Sequence, residues 1–287
     1  MPIVFSHLNY IYSSKTPLEF SALKDINLEI KDNSFTMIVG HTGSGKSTLV
    51  QQVNALLIPT DGEVNVNGII VDKNVKKLKN IKELRKGVGL VFQFPEYQLF
   101  EDTVLKDVSF GPKNFGVSEE ESIKLAKEAL SLVGIQEDLF ERSPFELSGG
   151  QKRRVAIAGI IALNPKVLIL DEPTAGLDPQ GSREMMKLFS KIHEMGTTIV
   201  MITHDMDNVL KYASDVVVLV KGEVIKSCKP YEIFLDEDNF AKLSIEEPLV
   251  IKMAKKLNTS NKYHIDLEKV KDIDTLVEQI AKEVSYE

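Results

Sequence analysis

One loop limits the possible folds of this chain more than any other part of its sequence. Residues 40–47 read GHTGSGKS and match the phosphate-loop pattern GxxxxGK[ST]. The apolar run Phe35–Val39 precedes the loop, and a helical pattern over Ser47–Leu57 follows it. This order predicts a strand, then a tight loop whose backbone N–H groups surround phosphates, then a helix whose N-terminus adds positive charge.

The residues of this phosphate loop have separate expected roles. Lys46 is expected to reach the β- and γ-phosphates of a nucleotide, and the hydroxyl of Ser47 is expected to bind Mg²⁺. A chance glycine-rich turn is the alternative, but it does not account for the strand and helix on either side. The nucleotide-binding residues predicted from the loop are Gly40, His41, Thr42, Gly43, Ser44, Gly45, Lys46, Ser47 and Thr48.

A second apolar run, Val167–Leu170, places two adjacent carboxylates at the end of a predicted buried strand. Asp171 is expected to hold Mg²⁺ through water, because this ion prefers oxygen ligands and keeps part of its hydration shell. Glu172 is expected to polarise the attacking water as a general base. The alternative is that both residues begin a solvated turn before Pro173.

Apolar runs alternate with helical patterns over most of the chain, which predicts a mostly parallel sheet covered on both faces. The other buried strands are predicted at Thr197–Ile202 and Val216–Val220. The segment Ile3–Ile30 alternates apolar and polar residues, which is typical of antiparallel strands at a sheet edge. The predicted class is α/β, with an antiparallel edge sheet, a mostly parallel core sheet, a helical insert at about 94–160 and a C-terminal helical appendage.

The insert and the tail have their own helical patterns. Ser118 is a predicted N-cap with Glu121 at the capping-box position. Residues 1–230 are predicted to form one domain, and residues 231–287 an appendage. The last helix is predicted to have an apolar stripe formed by Val270, Ile273, Val277, Ile280, Ala281 and Val284. Leu276 lies beside this stripe. A shorter stripe contains Leu249, Val250, Met253 and Leu257. Both stripes suit a packed appendage, and a dimerisation surface is the functional alternative.

Charge and composition exclude some classes of protein. The net charge of −7 argues against a general nucleic-acid binder, which usually has a basic excess. A lone cysteine, Cys228, excludes an internal disulfide and a cysteine-rich metal site. The longest apolar segment, Val155–Leu163, has nine residues, whereas a membrane span needs about 20. We therefore expect any action on a membrane to pass through partner proteins.

A second helix start with bare backbone N–H groups is predicted at Leu147-Ser148-Gly149-Gly150-Gln151. Ser148 is a candidate N-cap with Gln151 at the capping-box position, and Gly149 and Gly150 would let a phosphate approach closely. Two domains that face head to tail could use this signature loop (residues 147–151) to cover each other's nucleotide. A capped helix without a ligand is the alternative. The following Lys152–Arg154 is either a solvated helix face or an electrostatic contact with a partner.

The order of these features resembles that of ATP-binding-cassette ATPases, which have the phosphate-loop nucleotide-hydrolase fold, over about residues 3–230. The resemblance implies ATP and Mg²⁺, with Gln93 touching both the ion and the attacking water. It also implies that His204 contacts the γ-phosphate and that Asp178, in GLD at 176–178, lies in a loop crossing to a partner. The implied catalytic residues are Glu172, His204 and Gln93, and the implied metal ligands are Ser47, Gln93 and Asp171.

An aromatic residue that stacks on adenine is expected near the start of such a chain. Tyr12 is the predicted residue, with Tyr10 and Phe20 as alternatives. Packing across neighbouring strands is the structural alternative for all three aromatic side chains.

The runs VFQFPEYQLF at 91–100 and ELSGGQKRRVAIAGI at 146–160 resemble the energy-coupling-factor ATPases, and more closely the second of their two types. This resemblance implies ATP hydrolysis coupled to uptake of vitamins or transition-metal ions at the cytoplasmic face of the cell membrane. The implied partners are a second ATPase subunit in a heterodimer, a transmembrane coupling protein and a membrane substrate-capture protein, without nucleic acid. An ATPase of another cassette importer or exporter is the alternative.

The segment Gln93–Asp102 is expected to pass nucleotide-dependent motion to the coupling protein, because it directly follows Gln93. Its carboxylates at Glu96, Glu101 and Asp102 would suit a basic helix end on the partner. A solvated loop with ordinary charges is the alternative.

Overall fold

The computed structural model describes residues 2–74, 81–235, 245–260 and 263–284. Its central sheet has six strands, of which five are parallel and the last in the chain is antiparallel to its neighbour. The strands are β3 (Phe35–Val39), β6 (Val88–Val91), β7 (Val167–Asp171), β8 (Thr198–Ile202), β9 (Asp215–Val220) and β10 (Glu223–Cys228). They lie in the order β10-β9-β3-β8-β7-β6, so β3 and β7 flank β8.

A second, antiparallel sheet lies against one face of the first. Its strands are β1 (Ile3–Tyr12), β2 (Phe20–Ile30), β4 (Asp61–Val66) and β5 (Ile69–Asp72), in the order β2-β1-β4-β5. Its apolar side chains, among them Ile3 and Phe5, share one core cluster with Ile38 of β3. The predicted alternation in Ile3–Ile30 is therefore confirmed, and its strands form a sheet of their own.

Helices cover the other face and the sheet margins. They are α1 (Lys46–Val53), α2 (Ile81–Gly87), α3 (Val104–Asn114), α4 (Glu119–Leu132), α5 (Gly149–Ile161), α6 (Pro179–Glu194), α7 (Met206–Tyr212), α8 (Leu249–Thr259) and α9 (Ile273–Val284). Helices α1 and α2 are exceptions, because they pack into the cluster beneath the antiparallel sheet through side chains such as Leu49 and Leu84. The predicted α/β class is confirmed. No helix within the described ranges is long and apolar enough to cross a membrane.

Strand β3 shows why both faces of the central sheet are covered. Its Phe35, Met37 and Val39 pack into the cluster formed with the helices, whereas Ile38 packs into the cluster beneath the antiparallel sheet. All five β3 residues are buried. A strand that is buried on both faces reads as a continuous apolar run, which is the pattern seen in the sequence.

Two local predictions differ from the structure. Helix α1 ends at Val53 instead of Leu57, and Ala55 has a left-handed φ of 53° that does not continue a helix. Ser118 caps α4 by accepting the backbone N–H of Glu121 at 3.3 Å, as predicted. The Glu121 carboxylate, however, pairs with Lys124 at 3.4 Å.

The tail helices bury only some of the residues predicted to form their apolar stripes. In α9, Leu276 is fully buried, whereas Ile273 and Val277 are more than half exposed. In α8 the buried residues are Val250, Ile251 and Ala254, and Leu249 and Met253 are exposed. Val250 and Val270 are buried as predicted, but the rest of each buried face lies beside the predicted stripe, because apolar residues occur on more than one side of each helix. The side chain of Val284 lies outside the described part of the chain.

An ion pair ties the last helix to α7. Lys211 Nζ lies 2.8 Å from Asp272 Oδ2, and Asp272 Oδ1 accepts the backbone N–H of Thr275 at 3.0 Å. The hydrogen bonds from Lys211 and Thr275 lower the pKa of Asp272 to about 2. The Asp272 carboxylate is therefore ionised at neutral pH and fixes the start of α9 against α7.

Candidate functional site

The functional residues meet because four parallel strands end at the same edge of the central sheet. The phosphate loop follows β3, Gln93 follows β6, Asp171 ends β7 and His204 follows β8. Since β8 lies between β3 and β7, His204 is placed between the loop and the carboxylates.

The phosphate loop folds around the ammonium group of Lys46. Lys46 Nζ donates to the carbonyl oxygens of Gly40 at 2.7 Å and His41 at 2.8 Å. Gly45 caps α1 with a left-handed φ of 102°, and a Cβ there would lie 2.7 Å from the Ala22 oxygen. A Cβ on Gly40 would lie 2.1 Å from the Leu219 oxygen. Any larger residue at these two positions would displace the loop.

The charges of Lys46, Asp171 and Glu172 interact with one another in the site. Burial lowers the pKa of Lys46, and the negative charges of Glu172 and Asp171 oppose this effect. Burial raises the pKa of Asp171, and the nearby Glu172 carboxylate adds to the increase. A hydrogen bond from Ser47 and the charges of Lys46 and His204 act in the opposite direction on Asp171.

Glu172 is held at both of its carboxylate oxygens. His204 Nε2 lies 2.7 Å from Oε1, and Gln93 Nε2 donates to Oε2 at 2.9 Å. The backbone of Glu172 has a left-handed φ of 48°, and its N–H donates to the Ile202 oxygen at 3.1 Å. A non-glycine residue rarely adopts this conformation, so the neighbouring strand holds Glu172 in an unusual orientation.

These groups surround one open cavity of about 510 Å³. The predicted site residues that line it are Thr42, Gly43, Gly45, Lys46, Ser47, Thr48, Gln93, Asp171, Glu172 and His204. Ser44 lies beneath the loop, where its hydroxyl oxygen is buried and has no hydrogen-bond partner within the described ranges. The structure therefore gathers residues from four separate sequence segments around one cavity.

The three candidate aromatic residues lie close together near the end of the β1–β2 pair. Tyr12 is opposite Phe20 in the strand register, and its hydroxyl lies 3.1 Å from Thr48 Oγ1. The Tyr10 ring packs edge-on against Tyr12 with ring centroids 4.8 Å apart. Phe20 lines the loop cavity and is more than half exposed. Tyr12 and Phe20 thus stand beside the phosphate loop, and Tyr10 lies behind Tyr12.

The signature loop lies in a different groove from the phosphate loop. Ser148 Oγ accepts the N–H of Gln151 at 3.3 Å, and Gln151 Oε1 accepts the N–H of Ser148 at 3.0 Å, which confirms the predicted capping box. A Cβ on Gly149 or Gly150 would meet no atom within 4 Å. Asp178 lines the same groove as Ser148 and caps α6 by accepting the N–H of Gly181 at 2.6 Å.

The donor groups of the phosphate-loop cavity suit Mg²⁺ held together with a phosphate. Among the described residues, there is no group of three or more His, Cys, Asp or Glu side chains that could hold a metal ion by itself. Instead, the Ser47 hydroxyl is hydrogen-bonded to the Asp171 carboxylate, which places two oxygen donors side by side next to Lys46. Mg²⁺ prefers oxygen donors and is commonly held by one or two carboxylates plus phosphates.

Arg153 was not identified as an inward-facing residue from the sequence. It is buried and donates to the carboxylate of Glu96 and to the oxygens of Pro173 and Ala175. Arg154 donates to the Val133 oxygen at 2.9 Å and lies 2.7 Å from Glu184. Neither interpretation of Lys152–Arg154 described this arrangement, because sequence spacing carries no signal for an ion pair between residues 96 and 153.

The loop, the paired carboxylates and the separate capped signature loop define a phosphate-loop nucleotide hydrolase of the ATP-binding-cassette class. The family described as ABC transporter matches residues 23–175. The Energy-coupling factor transporter ATP-binding protein EcfA2 of Streptococcus pyogenes serotype M5 is 57% identical over 90% of this chain and 91% of its own length. The protein of the same name from Streptococcus sanguinis is 52% identical over 95% of this chain and 99% of its own length.

Solved structures agree with these relatives. The chain cbiO1 from Clostridium perfringens, part of the ABC transporter complex cbiONQ, matches with a TM-score of 0.72 at 44% identity, over 84% of this chain and 94% of that one. The ATP-binding cassette MJ0796, solved as a dimer in a post-hydrolysis state with ADP and Pi, gives a TM-score of 0.70 at 33% identity, over 79% and 98%. This chain belongs to the ABC transporter family and, within it, to the ATP-binding proteins of energy-coupling factor transporters. It is an ATPase whose hydrolysis is coupled to transport.

Proposed function

We propose that this chain binds Mg-ATP at residues 40–48 and hydrolyses it in a site completed by the signature loop of a second cassette. One observation carries the proposal: Gln93 and His204 hold Glu172 beside Lys46 at one cavity, while the signature loop opens into another groove. The phosphate loop and the signature loop of one chain face different grooves, so each could complete a site with the other loop of a second chain in a head-to-tail pair. The dimeric form of the relative MJ0796 supports this arrangement.

ATP binding requires a change of partners at Lys46. Its ammonium group is bonded to two carbonyl oxygens of the phosphate loop, and we propose that the β- and γ-phosphates replace them. The buried Ser44 hydroxyl, which lacks a partner within the described ranges, would gain a hydrogen bond in the same step. The backbone N–H groups of the loop and the start of α1 add favourable partial charges. Adenine would stack beside Tyr12, with the exposed Phe20 opposite it.

Ser47, Asp171 and Gln93 are the residues that would hold Mg²⁺ in this cavity. The bound ion would neutralise charge that develops on the phosphates. Glu172 orients and deprotonates the attacking water, and His204 holds the Glu172 carboxylate in place and contacts the γ-phosphate. Asp178 lies in the loop that would cross to the partner subunit. In this scheme a nucleotide-dependent movement of Gln93 is passed to the segment that follows it.

The proposed docking surface for a transmembrane coupling protein lies beyond Gln93. Phe94, Tyr97, Phe100 and Phe110 are exposed there, and the rings of Phe100 and Phe110 pack edge-on at 4.9 Å. A large exposed apolar patch often marks a protein interface. Glu96 is turned inward to Arg153, so the expected acidic contact is reduced to Glu101 and Asp102. The surface is thus mainly aromatic, with carboxylates at one end.

The remaining parts of the assembly follow from the relatives, which are components of energy-coupling factor transporters. We place the chain at the cytoplasmic face of the cell membrane, with a sister ATPase in a heterodimer and a membrane substrate-capture protein. Uptake of vitamins or transition-metal ions is the proposed transport. We assign residues 1–230 to the cassette, with its helical insert at about 94–160, and residues 231–287 to an appendage that could add a dimerisation surface.

The proposal is tested by isolating the chain with its membrane partners in detergent and identifying them by mass spectrometry. A second cassette and a multi-span membrane protein are expected. A periplasmic-type binding protein would indicate another importer, and DNA would indicate a different class. In the same preparation, Lys46→Ala should lose ATP binding by about 10- to 100-fold, because charge-assisted hydrogen bonds to phosphate would be absent. Unchanged ATP affinity in this variant would remove the phosphate loop from the binding site.

A further inference from the structure

Arg153 joins three segments to which the proposed function gives different tasks. Its side chain is 4% exposed and lies on α5, directly after the signature loop. We propose that Arg153 is a positioning residue that makes the signature helix, the segment 94–98 and the turn after Glu172 move as one unit. Closure of the signature loop on the partner's ATP would then shift the docking surface. This inference rests on the proposed function and concerns how the motion is transmitted.

The first contact of Arg153 is with the segment that follows Gln93. Its Nε donates to Glu96 Oε2 at 3.1 Å and its Nη2 donates to Glu96 Oε1 at 2.9 Å, so the ion pair is bidentate. Burial would raise the pKa of Glu96, but the hydrogen bonds and charge of Arg153 outweigh burial and lower this pKa. The guanidinium carbon also lies 5.8 Å from the centre of the Phe94 ring. The segment is therefore attached to α5 at two points.

The second contact is with the turn between Glu172 and Asp178. Arg153 Nη1 donates to the carbonyl oxygen of Ala175 at 2.7 Å and more weakly to that of Pro173 at 3.4 Å. These are backbone acceptors, so the contact fixes the path of the chain and does not depend on the side chains. The same guanidinium group therefore links the general base and the loop expected to cross to the partner with the docking segment.

Only arginine can make all of these contacts at once. Its planar group presents five N–H donors in a fixed fork, and here separate nitrogens serve Glu96 and the two carbonyls. Lysine would keep the positive charge but offers its donors from a single nitrogen atom. It could pair with Glu96 or with the turn, but not bridge them. This difference gives a variant that separates charge pairing from the joining of segments.

The experiment measures ATP-dependent hydrogen exchange in the purified complex, with ATP as the only added ligand. Wild type should show ATP-dependent changes at residues 40–48, 148–161 and 94–102. Arg153→Lys, Arg153→Gln and Glu96→Gln should keep the first two changes and lose the third by about fivefold or more, the size of a typical coupling effect. Arg153→Lys should also retain most of the wild-type Tm. Arg142→Gln is the matched control, because Arg142 is exposed and its partner Asp138 is 3.8 Å away.

The outcomes are distinct. The inference is overturned if the change at 94–102 survives in all three variants, or if Arg153→Lys restores it, because a simple ion pair would then suffice. It is also overturned if every ATP-dependent change and the Tm fall together in Arg153→Lys and Glu96→Gln, since Arg153 would then be structural. A wild-type complex without an ATP-dependent change at 40–48 would refute the proposed function itself, and the inference with it.

Discussion

Asp171 lies at the end of β7, half-buried and hydrogen-bonded to Ser47. Burial and the neighbouring Glu172 carboxylate raise the pKa of Asp171 above its ordinary value of 3.8. A raised carboxyl pKa means that the folded chain binds this proton more tightly than the unfolded chain. Above that pKa the ionised Asp171 therefore reduces the free energy of unfolding, and this loss is recovered as the pH falls from the raised pKa to the ordinary value of 3.8.

Asp171→Asn should therefore stabilise the ligand-free chain while impairing catalysis. At about pH 7.5 the Tm should rise by a few degrees, which is the effect of about 1 kcal/mol in a chain of this size. The difference from wild type should shrink as the pH is lowered towards 3.8, because Asp171 takes up its proton at the raised pKa above that ordinary value. ATP hydrolysis should fall by about 10- to 100-fold, because a residue proposed to hold Mg²⁺ is altered. A lower Tm at both pH values would contradict this account of Asp171.

At the residue scale, the sequence could predict which groups gather but not how they are oriented. Lys46, Asp171 and His204 follow apolar strands, and parallel strands end at one edge, so their meeting was predictable. The left-handed backbone of Glu172 and the inward turn of Arg153 depend on contacts between distant segments. No local propensity encodes those contacts, so neither orientation could be read from the sequence.

The N-terminus of helix α5 is capped by its own side chains and is also open to solvent. Its capping box satisfies backbone N–H groups at Ser148 and Gln151, while Gly150 faces open space. A packing role for Gly150 would require a close neighbour, and a Cβ there meets none within 4 Å. We expect the glycine to keep room for a phosphate of the partner's nucleotide.

Gly150→Ala should separate stability from function in this element. The chain should be as stable as wild type or more stable by about 0.4–1 kcal/mol, because alanine restricts the unfolded chain. ATP hydrolysis by the assembled pair should fall on the order of tenfold or more, because a methyl group would obstruct donors facing the phosphate. Gly159→Ala, in the same helix with its nearest atom at 4.0 Å, is the matched control and should keep full turnover. Full turnover in Gly150→Ala would argue for a capped helix without a ligand.

Element prediction was reliable where a pattern had one interpretation. The apolar runs at β3, β7, β8 and β9 became strands, and Ser118 and Ser148 became N-caps. It failed for β6, whose four residues were too short for a clear pattern, and for the buried face of α9. There Leu276 is buried, while the predicted Ile273 and Val277 are exposed, because tertiary packing chose among several apolar residues.

The whole molecule presents its proposed nucleotide cavity and its aromatic docking surface on connected segments. Gln93 contacts Glu172, and Tyr97, whose ring is exposed, follows only four residues later in the chain. A docking surface placed so close to the cavity can respond to nucleotide without a long path. Tyr97 is 84% exposed, so the rest of the fold does not depend on it.

Tyr97→Ser should weaken association with the membrane partner on the order of tenfold, because exposed aromatic residues often anchor interfaces. The Tm and the ATP affinity of the free chain should not change. Leu18→Ser, which replaces an 81% exposed apolar residue on another loop, should leave the association intact. Recovery of the membrane partner in a detergent pulldown measures the effect. Equal recovery with both variants would place the docking surface elsewhere.

The central claim is that Glu172 activates water for ATP hydrolysis in a site shared by two cassettes. The most direct measurement is steady-state ATP hydrolysis by the assembled pair that contains Glu172→Gln, together with the amount of ATP retained. The amide can still be held by neighbouring groups but cannot take the proton. Turnover at sites that depend on Glu172 should fall by about 10²–10⁴-fold while ATP stays bound. Hydrolysis at the full rate would contradict the assignment of Glu172 as the base.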